Sequence, residues 1–511
     1  MNKLVDNVKQ SYLRCKNNLE KNDKMAKVLI VIIMLLLPIM LVNRYLDNDT
    51  WFLLNSGRYI MNNGLYTNEP FTIHEGYKFI FQQWLTDVIF WNVYNIFGKI
   101  GLIIYIMIQV LILNVICYKL FKMISNSSTV SLLGVLLVDY MSQHYFVTRP
   151  QVSTMISIVL FIYILEKYCR NNKITTLLWL LPVSVLEINL HSSIWWILLI
   201  FTMSYIFDLF SIKKLGIEGD RSYNKRNIII MDILVLLSSL INPYGIQAPM
   251  YLFKSMGSEY KRIIMELQPS SLGDEFGEIF VALLLIALVR RMYLSYNKEK
   301  EVATVKLRYM YMLIGTTILF LDSSRSIVFL AIGVGVYAVY MLRNIKENNV
   351  VIAAFGIAIV LLGTISLTNL IVTNDITNSK GTYEEGIEPI KDWLVEHVEN
   401  PSDTKVYTGF NEGGYLEFYG FKCYIDARME IMLKSINGVE DIYDEYCKAY
   451  YDGTYNDIFD KYDFDYYVID KGGKDYQYIK LDNNYCEVTS TDDYALYIKA
   501  SDIMERYTAN N

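Results

Sequence analysis

Two carboxylates stand two residues apart, in Asp47-Asn48-Asp49-Thr50-Trp51, just after an apolar run that ends near Val42. A carboxylate in a partly dry cleft can take a proton from an acceptor hydroxyl, and a pair can orient a divalent cation that holds phosphate oxygens. The same residues can instead cap a following helix and stay solvated. Arg149, in Thr148-Arg149-Pro150-Gln151, and Arg325, after Asp322-Ser323-Ser324, carry guanidinium forks that suit phosphate. Either could also snorkel to headgroups, and Arg325 could pair with Asp322. Glu187-Ile188-Asn189-Leu190-His191 gathers an acid, an amide and an imidazole beside Trp195 and Trp196. That patch could bind sugar or phosphate, or simply close a polar turn under an aromatic belt. Glu266 sits in the connection 244–275 near Lys261 and Arg262, a segment long enough to close over a substrate. Asn242-Pro243-Tyr244-Gly245 reads as a sharp helix end, and Asp426 with Arg428 as a local ion pair.

The elements that must carry these residues follow from composition. The chain has 511 residues, 53% of them hydrophobic, and only 9 prolines, and apolar stretches such as Val28–Val42 and Ile352–Val372 recur along it. This excludes a soluble or disordered chain. Spans are predicted near 28–45, 99–121, 129–147, 151–168, 174–190, 192–210, 228–243, 276–293, 309–321, 325–342 and 350–373, about eleven in all. With the N-terminus inside, the inner segments hold 25 Lys and Arg against 9 in the outer loops, so the positive-inside rule selects N-in, C-out. Through Thr373 there are 34 basic and 24 acidic residues, and beyond it 13 and 29. The expected organisation is a basic cytoplasmic arm at 1–27, a transmembrane domain at 28–373 with a first outer loop at 46–98, and an acidic extracytoplasmic α/β domain at 374–511.

On this topology His74, His144, His191 and His397 all fall outside, as do Asp139, Glu187, Asn189 and Asn242, which points to a cavity open to that side. Asp208 and Asp232 are placed near inner helix ends, where basic neighbours neutralise them. Trp84–Phe97 has the pattern of a helix lying at the interface. Within the tail, helix is predicted over 387–398 and 430–447 and strands over 405–408, 422–425, 466–469 and 494–498. Its tyrosines offer ring faces to carbohydrate. Cys423, Cys447 and Cys486 allow one disulfide there, and no cysteine spacing suggests zinc. Residues 1–27 lack the form of a secretory signal. There is no phosphate-binding glycine loop, and an acidic tail argues against a nucleic-acid partner.

The ordered set Asp-x-Asp-x-Trp, Ser56-Gly57-Arg58-Tyr59-Ile60, Asn68-Glu69-Pro70-Phe71-Thr72 and Gln83-Trp84-Leu85 resembles the first outer loop of bacterial GT-C-type membrane glycosyltransferases related to protein mannosyltransferases and aminoarabinose transferases. The pieces around Arg149, Asn189, Asn242 and Glu266 resemble the same group, as do Gly413-Gly414-Tyr415-Leu416 and Ile425-Asp426-Ala427-Arg428. Two departures stand out: Gln82-Gln83-Trp84-Leu85 replaces a His-Pro-Pro-Leu style motif, and Asn189-Leu190-His191-Ser192 ends in serine rather than glycine. The resemblance implies transfer of a sugar from a polyprenyl-phosphate carrier to a glycan, lipid or protein acceptor at the outer face of the cell membrane. It implies Asp47 or Asp49 as general base; from their own types and places, Arg149, His191, Asn189, Glu266 and Arg325 are the residues expected to bind substrate. No cofactor is implied beyond a divalent metal, which is left open. The alternatives are a transporter or flippase using the same cavity, and a non-catalytic envelope assembly protein.

Overall fold

The computed structural model describes residues 23–65, 67–255, 265–270, 304–345, 347–372, 380 and 382–502. The expected spans on described residues fall partly or wholly on helix, that over 192–210 only at Ile197–Ile206, whereas 276–293 lies outside them, as does most of the 1–27 arm. Among the described residues five helices are long and apolar enough to cross a membrane: those within Lys24–Leu41, Trp84–Ser125, Gln151–Asn171, Ser324–Met341 and Asn349–Asn369.

Helix α1 (Asp23–Leu41) is followed by α2 (Asn48–Asn63), then by α3 (Trp84–Ser125), α4 (Ser128–Ser142) and α5 (Gln151–Asn171). Next come α6 (Leu180–Leu190), α7 (Ile197–Ile206), α8 (Lys225–Ser238) and α9 (Gln247–Ser255), and after the gap α10 (Leu307–Asp322), α11 (Ile327–Met341) and α12 (Asn349–Val372). Helices α1 and α12 approach closely because Gly356 and Gly363 let Leu29 and Leu36 pack against bare backbone. Helix α3 turns sharply at Gly98 (φ 62°, ψ −158°), a conformation that needs glycine. The interfacial helix expected at 84–97 and the span expected at 99–121 are therefore two arms of one element.

One buried arginine gathers several of the bundle's acids. Arg308 lies 2.9 Å from Glu166, 3.0 Å from Asp208 and 3.2 Å from Asp220, which neutralises Asp208 as its position suggested. Asp232 differs: it accepts a hydrogen bond from Thr202 Oγ1 (2.9 Å), and no cation pairs with it among the described residues. Asp139 is likewise met by an amide, Asn114 (2.9 Å).

After α13 (Thr382–His397), the tail builds a five-stranded sheet from β1 (Lys405–Tyr407), β2 (Lys422–Cys423), β3 (Tyr466–Asp470), β4 (Tyr485–Ser490) and β5 (Tyr494–Lys499). The spatial order is β2-β1-β3-β5-β4. The first three strands are parallel to one another, while β5 runs antiparallel to both β3 and β4. Helices α14 (Phe410–Phe418), α15 (Ile442–Asp452) and α16 (Tyr455–Tyr462) complete the unit. The helix expected over 430–447 is broken: short turns at Met429–Met432 and Lys434–Asn437 precede Gly438, which is left-handed. Both faces of the sheet are covered. Tyr466 and Val468 of β3 join one apolar core, while Tyr467 and Ile469 join another that includes Phe71, Phe79 and Phe81 of the first loop. Tyr407, Tyr424 and Tyr467 are thus core residues, not the surface ring faces expected from composition. Among the described residues no disulfide joins Cys423, Cys447 and Cys486.

The first loop is fastened to this tail. Ile73 N donates to Cys423 O (3.0 Å), and Thr72 makes a parallel bridge with Cys423, so the loop covers the β2 edge. Arg58 donates to Phe418 O (2.7 Å) at the end of α14 and lies over the Phe418 ring. Gly57 and Gly413 are sites of close approach. A Cβ on Gly57 would lie 2.1 Å from Asp87 O, and one on Gly413 1.9 Å from Ile425 O. The variant Gly57→Ala is therefore expected to lose about 1–3 kcal/mol by forcing α2 away from α3. Thermal unfolding in detergent measures this, and an unchanged Tm would show that the contact does not matter.

Candidate functional site

The connections expected outside the membrane meet at one end of the bundle, beneath the tail. Asp47 is the N-cap of α2, its Oδ1 accepting from Asp49 N (3.0 Å). The same oxygen pairs with Arg149 Nε (2.5 Å). The capping account and the ion-pair account of this aspartate therefore hold together. Arg149 Nη1 also lies 3.2 Å from Asp49 and 3.5 Å from Glu266, and Nη2 donates to Asn48 (3.1 Å). Thr148 fixes the register, accepting from Asp47 N (3.3 Å) while its carbonyl accepts from Thr50 Oγ1 (3.1 Å).

The three acids are not equivalent. Side-chain exposure rises from 17% for Asp47 to 25% for Asp49 and 43% for Glu266. Asp47 is held by cap and arginine, whereas Asp49 has a single contact with Arg149 and access to solvent. Burial raises the pKa of Asp49 above the usual carboxylate range, against the pull of Arg149, and neighbouring Asp47 adds to the rise. For Arg149, burial alone would favour the neutral form; the surrounding carboxylates outweigh it and keep the guanidinium charged.

Glu266 and Arg325 arrive together. The carbonyl of Glu266 accepts from Ser323 Oγ and Ser324 Oγ (both 3.1 Å), and Ser324 N donates to Gln268 O (3.1 Å). This ties the 265–268 turn to the end of α10. Arg325 does not pair with Asp322, and among the described residues it makes no ion pair at all, although its charge reaches Asp49, His191 and Glu430. It is the less committed of the two arginines.

His191 ends α6. Its Nδ1 is 3.0 Å from Thr154 Oγ1, which itself donates to Glu187 Oε1 (2.7 Å), while Ser157 donates to Glu187 Oε2 (2.7 Å). Thr154 has one proton and gives it to Glu187, so it accepts from His191 Nδ1–H, leaving Nε2 as an acceptor. Burial, and then the charge of Arg325, lower the His191 pKa to about 3, so the ring is neutral. Asn189 is spent on structure: Oδ1 accepts from Trp84 Nε1 (2.9 Å), and Nδ2 donates to Val185 O and Ile241 O (2.8 and 2.9 Å). Asn242 closes its own turn, donating to Ser239 O and Gly245 O (2.6 and 2.9 Å).

Asp426 and Arg428 do form an ion pair, but it is part of a buried group that sequence reading did not assemble. Arg428 also contacts Glu69 of the first loop (2.9 Å) and Glu417 of α14 (3.4 Å). Glu69 in turn accepts from Phe71 N and Thr72 N (2.9 and 2.8 Å), which is why that acid precedes Pro70. Among the described residues no group of three or more His, Cys, Asp or Glu is arranged to hold a metal. Arg149 supplies the countercharge among Asp47, Asp49 and Glu266 instead.

No protein-family profile matches the chain, and no curated protein matches it in sequence. Solved structures do match in fold. The Archaeoglobus fulgidus oligosaccharyltransferase, solved with a tethered acceptor peptide, superposes with a TM-score of 0.60 at 11% identity, over 88% of this chain and 69% of that one. The same organism's AglB with an inhibitory peptide and dolichol-phosphate gives 0.58 at 11% identity, over 88% and 70%. ArnT from Cupriavidus metallidurans, bound to undecaprenyl phosphate, gives 0.51 at 8% identity, over 93% of this chain and 98% of that one. The chain has the GT-C fold of these polytopic membrane glycosyltransferases.

Proposed function

We propose that this protein is a membrane glycosyltransferase that moves a sugar from a polyprenyl-phosphate donor to an acceptor hydroxyl at the outer face of the membrane. In this reading residues 1–27 face the cytoplasm and the 374–511 tail lies outside. The observation that carries it is the Asp47–Asp49–Arg149 group, with a second arginine at the same end of a GT-C bundle that makes no ion pair among the described residues. Asp49 takes the proton of the acceptor hydroxyl. The acceptor oxygen forms its bond to the anomeric carbon as the bond to the carrier phosphate breaks, with inversion. The departing phosphate takes the charge, and Arg325 holds it. Asp47 and Arg149 position Asp49, and Glu266, tied to the turn before Arg325, closes over the group. The neutral His191 offers Nε2 to a substrate hydroxyl, and Asn189 positions His191 through the helix end it anchors.

The test uses the full chain in proteoliposomes supplied with sugar-loaded polyprenyl phosphate. Arg325→Gln is expected to lower kcat/KM for the lipid donor about 10- to 100-fold, as loss of a charge-assisted contact implies, with folding retained. Unchanged kinetics for the variant would remove Arg325 from phosphate binding. Absence of any transfer by the unaltered protein across a panel of donors would sink the enzyme reading itself.

A further inference from the structure

Against α2, one helical turn past Asp49, lies a small cavity walled by the rings of Phe52, Phe79 and Phe81 and by the polar side chains of Gln82, Gln83, Arg428 and Glu430. Its position links it to the site on three sides. Phe52 follows Asp49 by three residues and shares its face of α2. The carbonyl of Gln82 accepts from Ser192 N (2.8 Å), next to His191. Glu430 lines the same cavity as Gln82 and lies within electrostatic reach of Arg325.

Gln82 Oε1 and Arg428 Nη1 are both buried and, among the described residues, have no partner. A buried acceptor and a buried donor left open beside one cavity point to an occupant that satisfies both. Charge narrows its chemistry. Arg428 is within 3.4 Å of Glu69, Glu417 and Asp426, so carboxylates outnumber it and Glu430 adds another. A phosphate is repelled here, in contrast to Arg325. A hydroxyl donates and accepts at once, and ring walls suit the apolar C–H faces of a sugar. The free space fits a hydroxyl or hydroxymethyl group rather than a whole ring.

We propose that the cavity between α2, the Phe79–Gln82 segment and Arg428–Glu430 is an acceptor-side subsite that seats a hydroxyl or hydroxymethyl group of a neutral saccharide beside Asp49. The word acceptor rests on the transferase reading; the binding of a neutral sugar does not. The test is saturation-transfer NMR and titration of the full chain in nanodiscs with methyl glucoside, using inorganic phosphate as competitor. Methyl glucoside is expected to bind and phosphate to leave it in place. Gln82→Leu, which removes the acceptor at similar volume, is expected to weaken binding at least tenfold without lowering Tm. Phe79→Leu, which removes a ring wall, is expected to weaken it as well. Displacement by phosphate, undiminished binding to Gln82→Leu, or no saturation transfer at all (a cavity holding water only) would each overturn the subsite. Transfer assays run in parallel separate the two claims. Sugar binding without transfer leaves the subsite standing and removes the transferase, whereas transfer with an unchanged acceptor KM in Gln82→Leu does the reverse.

Discussion

On the proposed transferase reading, Asp49→Asn is expected to lower the rate of sugar transfer by about 10²–10⁴-fold, the loss that follows removal of a general base, with the fold retained. The amide keeps the size of the side chain and can still accept from Arg149, so the 3.2 Å contact need not be lost. Only the ability to take a proton goes. Asp47→Asn behaves differently. It keeps an N-cap acceptor for Asp49 N, since Asn caps a helix about as well as Asp, and removes the charge from the 2.5 Å pair with Arg149, so its effect falls on the placement of Arg149. A pH profile separates the two. Burial first, and Asp47 second, hold the Asp49 carboxyl above the usual carboxylate range. A base must be ionised, so kcat/KM rises with pH through a limb displaced upward from that of a free aspartate, and Asp49→Asn abolishes the limb. An Asp49→Asn variant that turns over at the unaltered rate, or a profile with no such limb, would remove Asp49 from the chemistry.

Arg428→Met has the other large effect, on stability. The guanidinium is the cation shared by Glu69, Glu417 and Asp426, all of them buried. Removing it leaves acids without a countercharge, which for a buried pair costs about 3–5 kcal/mol. The loss falls at the junction, because Glu69 belongs to the first loop and Glu417 to α14. The variant is expected to show a lowered Tm and faster proteolysis of the tail, and Glu417→Gln in the same background should recover part of the loss. An Arg428→Met protein as stable as the original would mean that these acids are protonated without it.

Long apolar runs made the bundle legible, because helices in lipid must satisfy their own backbone and so declare their length in the sequence. The residues gathered at one end, Asp47, Asp49, Arg149, Glu266 and Arg325, were legible as types at helix ends. Their division of labour was not. Whether Asp47 or Asp49 is the freer acid depends on which oxygen caps α2, and that is a matter of tenths of an ångström. Asn189 looked like a binding residue because an amide near a histidine can be one. Nothing in its neighbours reveals that Trp84, Val185 and Ile241 already use it. The Arg428 group escaped for another reason, since its partners lie 359 and 11 residues away in sequence. The tail tyrosines misled because a sheet covered on both faces buries alternating and consecutive residues alike.

The bend at Gly98 carries a mechanical consequence. No loop separates the arm under the tail from the arm that descends through the bundle, so α3 acts as a bent lever pivoting on one glycine. The descending arm seeks a depth that matches its apolar length to the thickness of the surrounding lipid, and tilts when the two differ. Trp84 and Thr86, at the tip of the upper arm, hold Asn189 and the Leu190 carbonyl. The one rigid element that runs down through the bundle thus ends, across a single glycine, on the two residues that precede His191.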